Sequence, residues 1–270
     1  MGETAIKPRD VTATMKYVVR GEKATFHAGD REKSYWPGED HEVVFHDMRP
    51  IADQLSFDRN GFVLLDEPTN VSDFTDEAQL ARYCRETEEL VRRLTGAKKT
   101  ISFGPIIRTS AQGTHGHNQP AFGAHVDYGD RTTRDFTYDH LPKEEADHLL
   151  QGRYMLINVW RPILAVESAP FALCDASTVH RKDLFTSEVV GGLGDYKRRS
   201  LWGFNLAFTP DHKWYWAPDM QPDEVFVFKL FDSDPDAVQF TAHSAFHDPT
   251  AAEDAAPRQS IELRTISYLG

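Results

Sequence analysis

The chain has 270 residues, of which 40% are hydrophobic, and it carries a formal net charge of −12 with a pI near 5.4. This length suits one large domain with a substantial core. A surface of this charge repels nucleic acid and anionic membranes, so we expect neither as a partner and predict a small-molecule ligand instead.

The cysteines and the N-terminus bear on the location of the protein. Cys84 and Cys174 do not form a CxxC pair, which argues against a disulfide framework or a thiolate zinc site. Residues 1–16 are polar and mixed in charge, unlike a signal peptide, and no run approaches the ~20 apolar residues of a membrane span. These features predict a cytoplasmic protein without a membrane segment.

The N-terminal part, residues 1–99, is predicted to supply strands and one bracing helix. Residues 14–19 and 42–46 are short extended segments between turns, and an Asn-Gly turn precedes a buried strand at residues 62–65. The clearest helix begins near Thr75, which can cap it, and ends at Gly96. We expect this helix to pack against the outside of a sheet.

From residue 100 onward the pattern is that of many short strands separated by turns. The predicted strands are residues 100–109, 123–128, 154–160, 171–175, 200–208, 213–216, 224–230 and 260–269, with one helix at 143–151. This order predicts a mainly β protein with flanking helices around a double-stranded β-helix, that is, a jelly-roll, cupin-like core. We predict a single domain over residues 1–270, with the core and its metal site in residues 100–270.

A possible metal site begins with His125 and Asp127. Two residues one position apart on a strand project from the same side, so their side chains can meet one ion. An imidazole and a carboxylate are two of the three ligands of a 2-His-1-carboxylate iron site. The alternative for this triplet is a surface strand whose histidine and aspartate meet water.

Two histidines compete to be the third ligand. His243 follows an apolar segment, whereas His247 precedes Asp248-Pro249, a turn that tends to leave the residue exposed. We therefore favour His243. His115 and His117 form a His-x-His pair that is a further alternative, although the surrounding residues are typical of a polar loop.

A site for a dicarboxylate is predicted at Arg258 and Ser260, which share one face of a strand. A guanidinium can hold two carboxylate oxygens and a hydroxyl can provide a third contact. Glu262 and Arg264 continue the same parity. The alternative is an amphipathic strand whose charged side lies in water.

Several ordered blocks of residues 100–270 together resemble the non-haem iron(II), 2-oxoglutarate-dependent oxygenases. Within that family they are similar to the hydroxylase/desaturase group typified by AsaB and CmcJ. The blocks are HVDY (125–128), NVWRP (158–162), PFALCD (170–175), PDE (222–224), HSAF (243–246) and PRQSIELR (257–264).

The resemblance implies roles for individual residues. His125, Asp127 and His243 would bind Fe(II), while Arg258 and Ser260 would hold the far carboxylate of 2-oxoglutarate. Asn158 would be a further contact to this cosubstrate or to the residues around it.

Other residues near these blocks have less certain roles. Trp160 and Arg161 belong to a family block, but a core position and a structural salt bridge are their simplest interpretations. Arg108, Tyr128 and Arg264 are our candidates for substrate contacts beside the site.

The implied activity is the O2-dependent oxidation of an unactivated C–H bond in a small secondary metabolite or amino-acid-derived substrate. The outcome would be hydroxylation, desaturation or oxidative cyclisation, with succinate and CO2 as co-products. Two alternatives stay open at this point. One is a cupin-type metal dioxygenase that does not use 2-oxoglutarate, and the other is a non-catalytic jelly-roll protein that binds an acidic small molecule.

Overall fold

The computed structural model describes residues 8–27, 32–114, 118–191 and 201–270. Within these ranges it contains two β-sheets and three α-helices. The strands are β1 (Val11–Val18), β2 (Ala24–His27), β3 (Gly38–Asp47), β4 (Phe62–Asp66), β5 (Lys99–Thr109), β6 (His125–Val126), β7 (Tyr154–Pro162), β8 (Phe171–Cys174), β9 (Leu184–Val190), β10 (Leu201–Leu206), β11 (Trp214–Trp216), β12 (Glu224–Asp232), β13 (His243–Ala245) and β14 (Gln259–Tyr268). The helices are α1 (Glu77–Thr95), α2 (Asp130–His140) and α3 (Lys143–Leu149).

The two sheets differ in size and face each other across the main core. The larger has the order β1-β3-β11-β8-β13-β6-β10-β9-β2, and the smaller has the order β4-β12-β7-β14-β5. One hydrophobic cluster contains Phe171 and Leu173 from the larger sheet together with Leu156 and Phe226 from the smaller one. Two sheets that share one interior confirm the predicted jelly-roll fold class.

Strand β7 is buried at all nine positions because both of its faces are covered. Leu156 points into the space between the sheets, whereas Ile157 and Val159 pack in a separate cluster with Leu90 and Val91 of α1. Helix α1 therefore packs against the outer face of the smaller sheet, as its apolar spacing predicted.

The N-terminal strands pair directly with strands from the second part of the chain. Strand β3 is parallel to β11, and β4 is antiparallel to β12. A second cluster joins Met15 and Phe45, from β1 and β3, to Val126, Ala172 and Trp214 of the larger sheet. Residues 11–66 thus extend the same two sheets that carry the core.

The start of α1 differs from the prediction by one residue. Asp76 is the N-cap, because its carboxylate accepts a hydrogen bond from the Gln79 amide. The Thr75 hydroxyl instead donates to the Asp73 carboxylate at 2.6 Å. The prediction that Thr75 caps the helix is therefore wrong, whereas Gly96 ends it as expected in the left-handed conformation (φ 70°).

Helix α2 was not predicted from the sequence. Strand β6 is also shorter than the predicted 123–128, because the Ala124 amide donates to the Lys16 carbonyl of β1 instead of to a neighbour of β6. Among the residues that the structure describes, none of the helices combines the length and the apolar character that a membrane crossing requires.

Candidate metal centre and cosubstrate site

Two neighbouring strands in the middle of the larger sheet bring three potential metal ligands together. His125 lies on β6 and His243 lies directly opposite on β13, and Asp127 follows β6 immediately. One ligand atom from each of the three lies within 4.8 Å of the other two. His243 lies 118 residues after His125, so only the pairing of β6 with β13 brings them together.

Hydrogen bonds orient both imidazoles toward Asp127. The Nδ1 of His125 is 2.7 Å from the Gly123 carbonyl, and the Nδ1 of His243 is 3.1 Å from the Thr241 carbonyl. Because a carbonyl only accepts, each Nδ1 carries the proton and each Nε2 has a free lone pair. These two Nε2 atoms lie 3.4 and 3.8 Å from Oδ1 of Asp127.

The second oxygen of Asp127 is bound by the protein itself. Arg264 donates from Nη2 to Oδ2 of Asp127 at 3.1 Å and to Oε1 of Glu262 at 2.7 Å. Arg108 donates to the same Glu262 oxygen at 2.8 Å. The two oxygens of Asp127 therefore have different surroundings, since Oδ1 faces the imidazoles and Oδ2 faces a guanidinium.

The charges around the site keep Asp127 ionised. Burial alone would raise the pKa of Asp127, but the Arg264 charge and the two neighbouring histidines bring it well below its usual range. Burial and the nearby His125 lower the pKa of His243, which favours its neutral, metal-binding form. An anionic carboxylate and two imidazole nitrogens fit Fe(II), for which a 2-His-1-carboxylate set is characteristic.

Arg258, which directly precedes β14 of the smaller sheet, lies in the interior between the two sheets. It is 2% exposed, its Nη1 donates to the Ala169 carbonyl at 2.7 Å, and its guanidinium lies 5.5 Å from the Trp160 ring centroid. In the described part of the chain it forms no ion pair, and its Nε has no hydrogen-bond partner. Burial, together with the Arg108 charge, lowers the pKa of Arg258 to about 9.

Other buried polar atoms of the smaller sheet also lack hydrogen-bond partners among the described residues. They are the Ser260 hydroxyl, the Trp160 indole N–H and both side-chain polar atoms of Asn158. Buried polar atoms are nearly always hydrogen-bonded, so a group of them without partners in one interior indicates a polar ligand. A buried cation without a carboxylate indicates that this ligand is an anion.

The metal and anion groups line one cavity between the sheets. Its walls are Arg108, Ala121, His125, Asp127, Trp160, Phe171, His243, Arg258 and Glu262. The alternative that the charged face of β14 lies in water is therefore wrong. Ser260, Glu262 and Arg264 of β14, and Arg258 just before it, are all buried in the interior.

The histidines considered as alternatives lie elsewhere or outside the described ranges. His247 is exposed and stacks on Phe122, with ring centroids 4.3 Å apart. The structure thus brings His243, and not His247, to Asp127. His115 and His117 lie outside the described residues.

All three of the proposed substrate contacts have protein partners. The Arg264 guanidinium lies 5.2 Å from the Tyr128 ring centroid, and the Tyr128 ring packs edge-on against Phe136. Arg108 binds Glu262 and also donates to the Gln119 carbonyl at 2.8 Å. As substrate contacts, all three residues stay predictions.

Arg161 has a structural position, although it forms no salt bridge with a described residue. It is 3% exposed and points away from the cavity, where it donates to the carbonyls of Glu67 and Pro222 at 2.6 Å each. Its part is to connect β7 to the two segments that flank the smaller sheet.

Sequence reasoning missed the function of Glu262. Its carboxylate lies between Arg108 and Arg264, so it joins the metal side of the cavity to β5. The available signal was the two-residue period from Arg258 to Arg264, which places all four polar side chains on one face.

Comparisons with known proteins agree with this geometry. Residues 7–268 match the model of a family described as an oxidoreductase/YMDC permease-like domain. The Fe(II)/2-oxoglutarate-dependent dioxygenase nvfI of Aspergillus novofumigatus is 31% identical over 265 residues, which cover 90% of this chain and 93% of that protein. The hydroxylase/desaturase efuI of Hormonema carpetanum is 28% identical and covers 84% of this chain and 83% of its own length.

A solved structure has the same overall form. The iron and alpha-ketoglutarate-dependent endoperoxidase NvfI superposes with a TM-score of 0.84 at 28% identity, covering 97% of this chain and 98% of that one. Similarity of this extent includes both sheets and the strands that bear the triad.

Proposed function

Because this chain belongs to the Fe(II)- and 2-oxoglutarate-dependent dioxygenases, we propose that His125, Asp127 and His243 bind its iron and that Arg258 and Ser260 bind 2-oxoglutarate. The family uses Fe(II), 2-oxoglutarate and O2, and its members are enzymes. The observation that carries the assignment is Arg258, a buried guanidinium that forms no ion pair with a described carboxylate, on the wall opposite three converging metal ligands. A dicarboxylate cosubstrate supplies the missing anion.

The membership decides between the alternatives that the sequence left open. A metal dioxygenase without 2-oxoglutarate would have no use for a buried, unpaired Arg258. A non-catalytic binding protein would have no use for two imidazoles whose free Nε2 atoms face one carboxylate oxygen.

The residues of the chain bind, orient and exclude water, while the chemistry comes from the iron. When bound with 2-oxoglutarate and O2, iron supplies an oxidant able to attack an unactivated C–H bond, with succinate and CO2 as co-products. The Gly123 and Thr241 carbonyls fix the tautomers of the two histidines. Trp160 and Phe171, which stack at 5.0 Å, exclude water from one wall of the cavity.

We propose that the prime substrate is a small secondary metabolite or an amino-acid-derived molecule, and that it is hydroxylated, desaturated or cyclised. Relatives named as hydroxylase/desaturase and as endoperoxidase support an oxidative role of this kind. Asn158 is proposed as a further contact to the cosubstrate, because its amide is buried and has no hydrogen-bond partner within the part of the chain that the structure describes. Arg108 and Tyr128 are proposed as substrate contacts.

The test is succinate formation by protein reconstituted with Fe(II) without oxygen and then given 2-oxoglutarate and O2. We expect slow, O2-dependent succinate release by the wild type, and none from Asp127→Ala because the metal is lost. His247→Ala serves as the matched control and retains wild-type turnover. Wild-type succinate formation by Asp127→Ala, or metal loss in His247→Ala with retention in His243→Ala, would remove the assignment.

A further inference from the structure

The two oxygens of Asp127 are not equivalent. Oδ1 lies 3.4 and 3.8 Å from the free nitrogens of the two histidines, whereas Oδ2 accepts a bond from Arg264 at 3.1 Å. The same Nη2 of Arg264 also donates to Glu262 at 2.7 Å. This asymmetry is a property of the protein alone, because it arises from side-chain contacts between β6 and β14.

We propose that Arg264 is a positioning residue that restricts Asp127 to binding iron through one oxygen, and that Glu262 and Arg108 hold Arg264 in place. The proposal rests on the assignment of the three metal ligands made above. Arg264 is thereby given a part other than the substrate contact that its sequence position suggested.

One-oxygen binding by Asp127 matters because a six-coordinate ion has few positions. Two imidazoles and one carboxylate oxygen would occupy three of them and would leave the others for the keto acid and O2. If Asp127 bound through both oxygens, one of those open positions would be lost. A guanidinium bonded to Oδ2 competes directly with this second contact.

The surroundings of Arg264 restrict its own movement. Its side chain is 4% exposed, and the Tyr128 ring covers one face of the guanidinium at 5.2 Å. Oε1 of Glu262 accepts from both Arg264 and Arg108, so the two cations are linked through one oxygen. The charges of the two carboxylates, Asp127 and Glu262, balance those of the two guanidiniums, Arg108 and Arg264. Removing one of the four would leave a buried charge uncompensated, which is destabilising.

Arg108 extends the same network to the rim of the cavity. Its Nη1 donates to the Gln119 carbonyl at 2.8 Å, and Ala121, two residues further on, lines the cavity. The chain of contacts therefore runs from the Asp127 carboxylate through Arg264, Glu262 and Arg108 to the segment that contributes Ala121 to the cavity wall.

The experiment uses Co(II) as a spectroscopic probe in the full-length protein. Co(II) binding is titrated in the wild type, in Arg264→Met and in Arg264→Lys, and the visible absorption of each saturated complex is recorded. We expect about 10- to 100-fold weaker binding in Arg264→Met, the usual effect of losing an outer partner of a metal ligand. We also expect an altered absorption, because a second oxygen joins the metal.

The Co(II) affinity of Arg264→Lys is expected to lie between those of the wild type and Arg264→Met, since an ammonium keeps the charge but not the planar shape of the guanidinium. The matched control is Arg161→Lys, which changes an equally buried arginine that lies outside this cavity and donates to two carbonyls and to the Tyr83 hydroxyl. Arg161→Lys should keep the wild-type Co(II) affinity and spectrum. If Arg264→Met does not fold, Arg264→Met/Glu262→Gln also removes the negative charge of Glu262 that Arg264 helped to balance, and the same spectral change is expected of the double variant.

Two results would overturn the proposal. One is a wild-type Co(II) spectrum and affinity in all the Arg264 variants, and the other is an equal change in Arg161→Lys. Asp127→Ala separates this proposal from the metal assignment beneath it. If Asp127→Ala binds Co(II) as the wild type does, the ligand assignment itself is wrong, whereas loss of Co(II) there with unchanged Arg264 variants overturns only the role of Arg264.

Discussion

Arg258 is a cation that the fold buries at a cost. In the described residues it has one carbonyl partner and no carboxylate, so its charge is only partly compensated within the protein. Such a residue destabilises the free protein and is satisfied when a dianion binds, because the charge-assisted bonds then replace those lost from water.

The first prediction follows for Arg258→Ala. We expect at least about 2 kcal/mol of lost 2-oxoglutarate binding, that is about 30-fold, from removal of a buried charged partner. The free energy of unfolding should fall less, or even rise, because an uncompensated buried charge is removed. Calorimetric titration of 2-oxoglutarate into the Mn(II)-loaded protein measures the change in affinity. Urea unfolding measures the change in the free energy of unfolding. An unchanged affinity for 2-oxoglutarate would exclude Arg258 as its anchor.

His212 is a second buried ionisable residue, remote from the cavity walls. It stacks on Tyr17 with ring centroids 6.0 Å apart, and neither ring nitrogen has a hydrogen-bond partner among the described residues. Its Nε2 lies 3.8 Å from Asp183, which is also bound by Arg20 at 2.8 Å. Burial lowers the pKa of His212 to about 4, although the Asp183 charge opposes this shift.

The second prediction is a pH dependence of stability due to His212. Its folded pKa lies below the unfolded value of 6.5, so between pH 6.5 and 4 the unfolded chain binds more protons than the folded one. Stability from this residue is therefore complete above pH 6.5 and is lost as the pH falls toward 4. The slope is at most about 1.4 kcal/mol per pH unit.

His212→Phe keeps a ring against Tyr17 but cannot bind a proton. Urea unfolding of the wild type and of this variant at several pH values between 7 and 4 gives the contribution of His212 as the difference between the curves. We expect the variant to lose less stability over this interval. Parallel curves would show that His212 does not contribute.

For individual residues, the sequence predicts the candidate ligands better than the side chains that hold those ligands in place. The convergence of His125 and Asp127 can be predicted because residues two apart on a strand lie on the same face. The pairing of Arg258 with Ser260 can be predicted for the same reason. Glu262 was not foreseen as a site residue, because its role depends on Arg108 from another strand. Pairing across strands decides such contacts, and a single sequence carries no direct sign of it.

Among the elements, β10 lies beside the metal strand in a way that requires glycine. A Cβ placed on Gly203 would be 2.3 Å from the Asp127 carbonyl oxygen and 2.4 Å from that of Val126. Both neighbours are backbone atoms, which cannot move without shifting the strand. The close approach of β10 to β6 thus depends on the missing side chain.

The third prediction is that Gly203→Ala displaces β6 and with it Asp127. We expect a loss of about 1–3 kcal/mol in the free energy of unfolding, as for other overpacked sites, together with weaker Co(II) binding. Gly129→Ala is the matched control, since a Cβ there meets Phe204 at an ordinary 3.5 Å. The control should lose no more than about 1 kcal/mol, from a poorer helix cap, and keep its Co(II) affinity. Equal Co(II) affinity in both variants would contradict the prediction.

Helix α2 shows why an element can escape prediction. Its eleven residues include three buried threonines, Thr132, Thr133 and Thr137, which are weak helix formers. Tertiary contacts hold it instead. Thr132 exchanges bonds with the Trp202 backbone, Thr137 accepts from the Tyr268 hydroxyl at 2.9 Å, and Phe136 packs in the main core.

For the whole molecule, the two parts of the chain depend on each other. Met15, Tyr17 and Phe45 of the N-terminal strands are almost fully buried, in a cluster with residues of the larger sheet. Strand β4 closes one edge of the smaller sheet, and α1 covers its outer face. The strand content was readable from turns and apolar runs, whereas this interleaving was not, because it depends on pairing between distant strands.

The fourth prediction is that residues 100–270 do not fold alone. The shortened chain would expose the apolar surface now covered by β1, β3, β4 and α1, and would lose the partner strands of β11 and β12. We expect no cooperative thermal transition by circular dichroism, whereas the full chain shows one. A cooperative transition in the fragment would divide the chain into two domains.

The separation of the two ligand sets between the sheets has a thermal consequence. The metal residues belong to the larger sheet, whereas Asn158, Arg258 and Ser260 belong to the smaller one. A cosubstrate that binds the metal on one side and Arg258 on the other would therefore act as a removable cross-link between the two sheets. Mn(II) and 2-oxoglutarate together should raise the melting temperature by more than the sum of their separate effects, with about 2.7 kcal/mol of stabilisation at 100-fold excess over Kd. Scanning calorimetry in the absence of oxygen measures this difference directly.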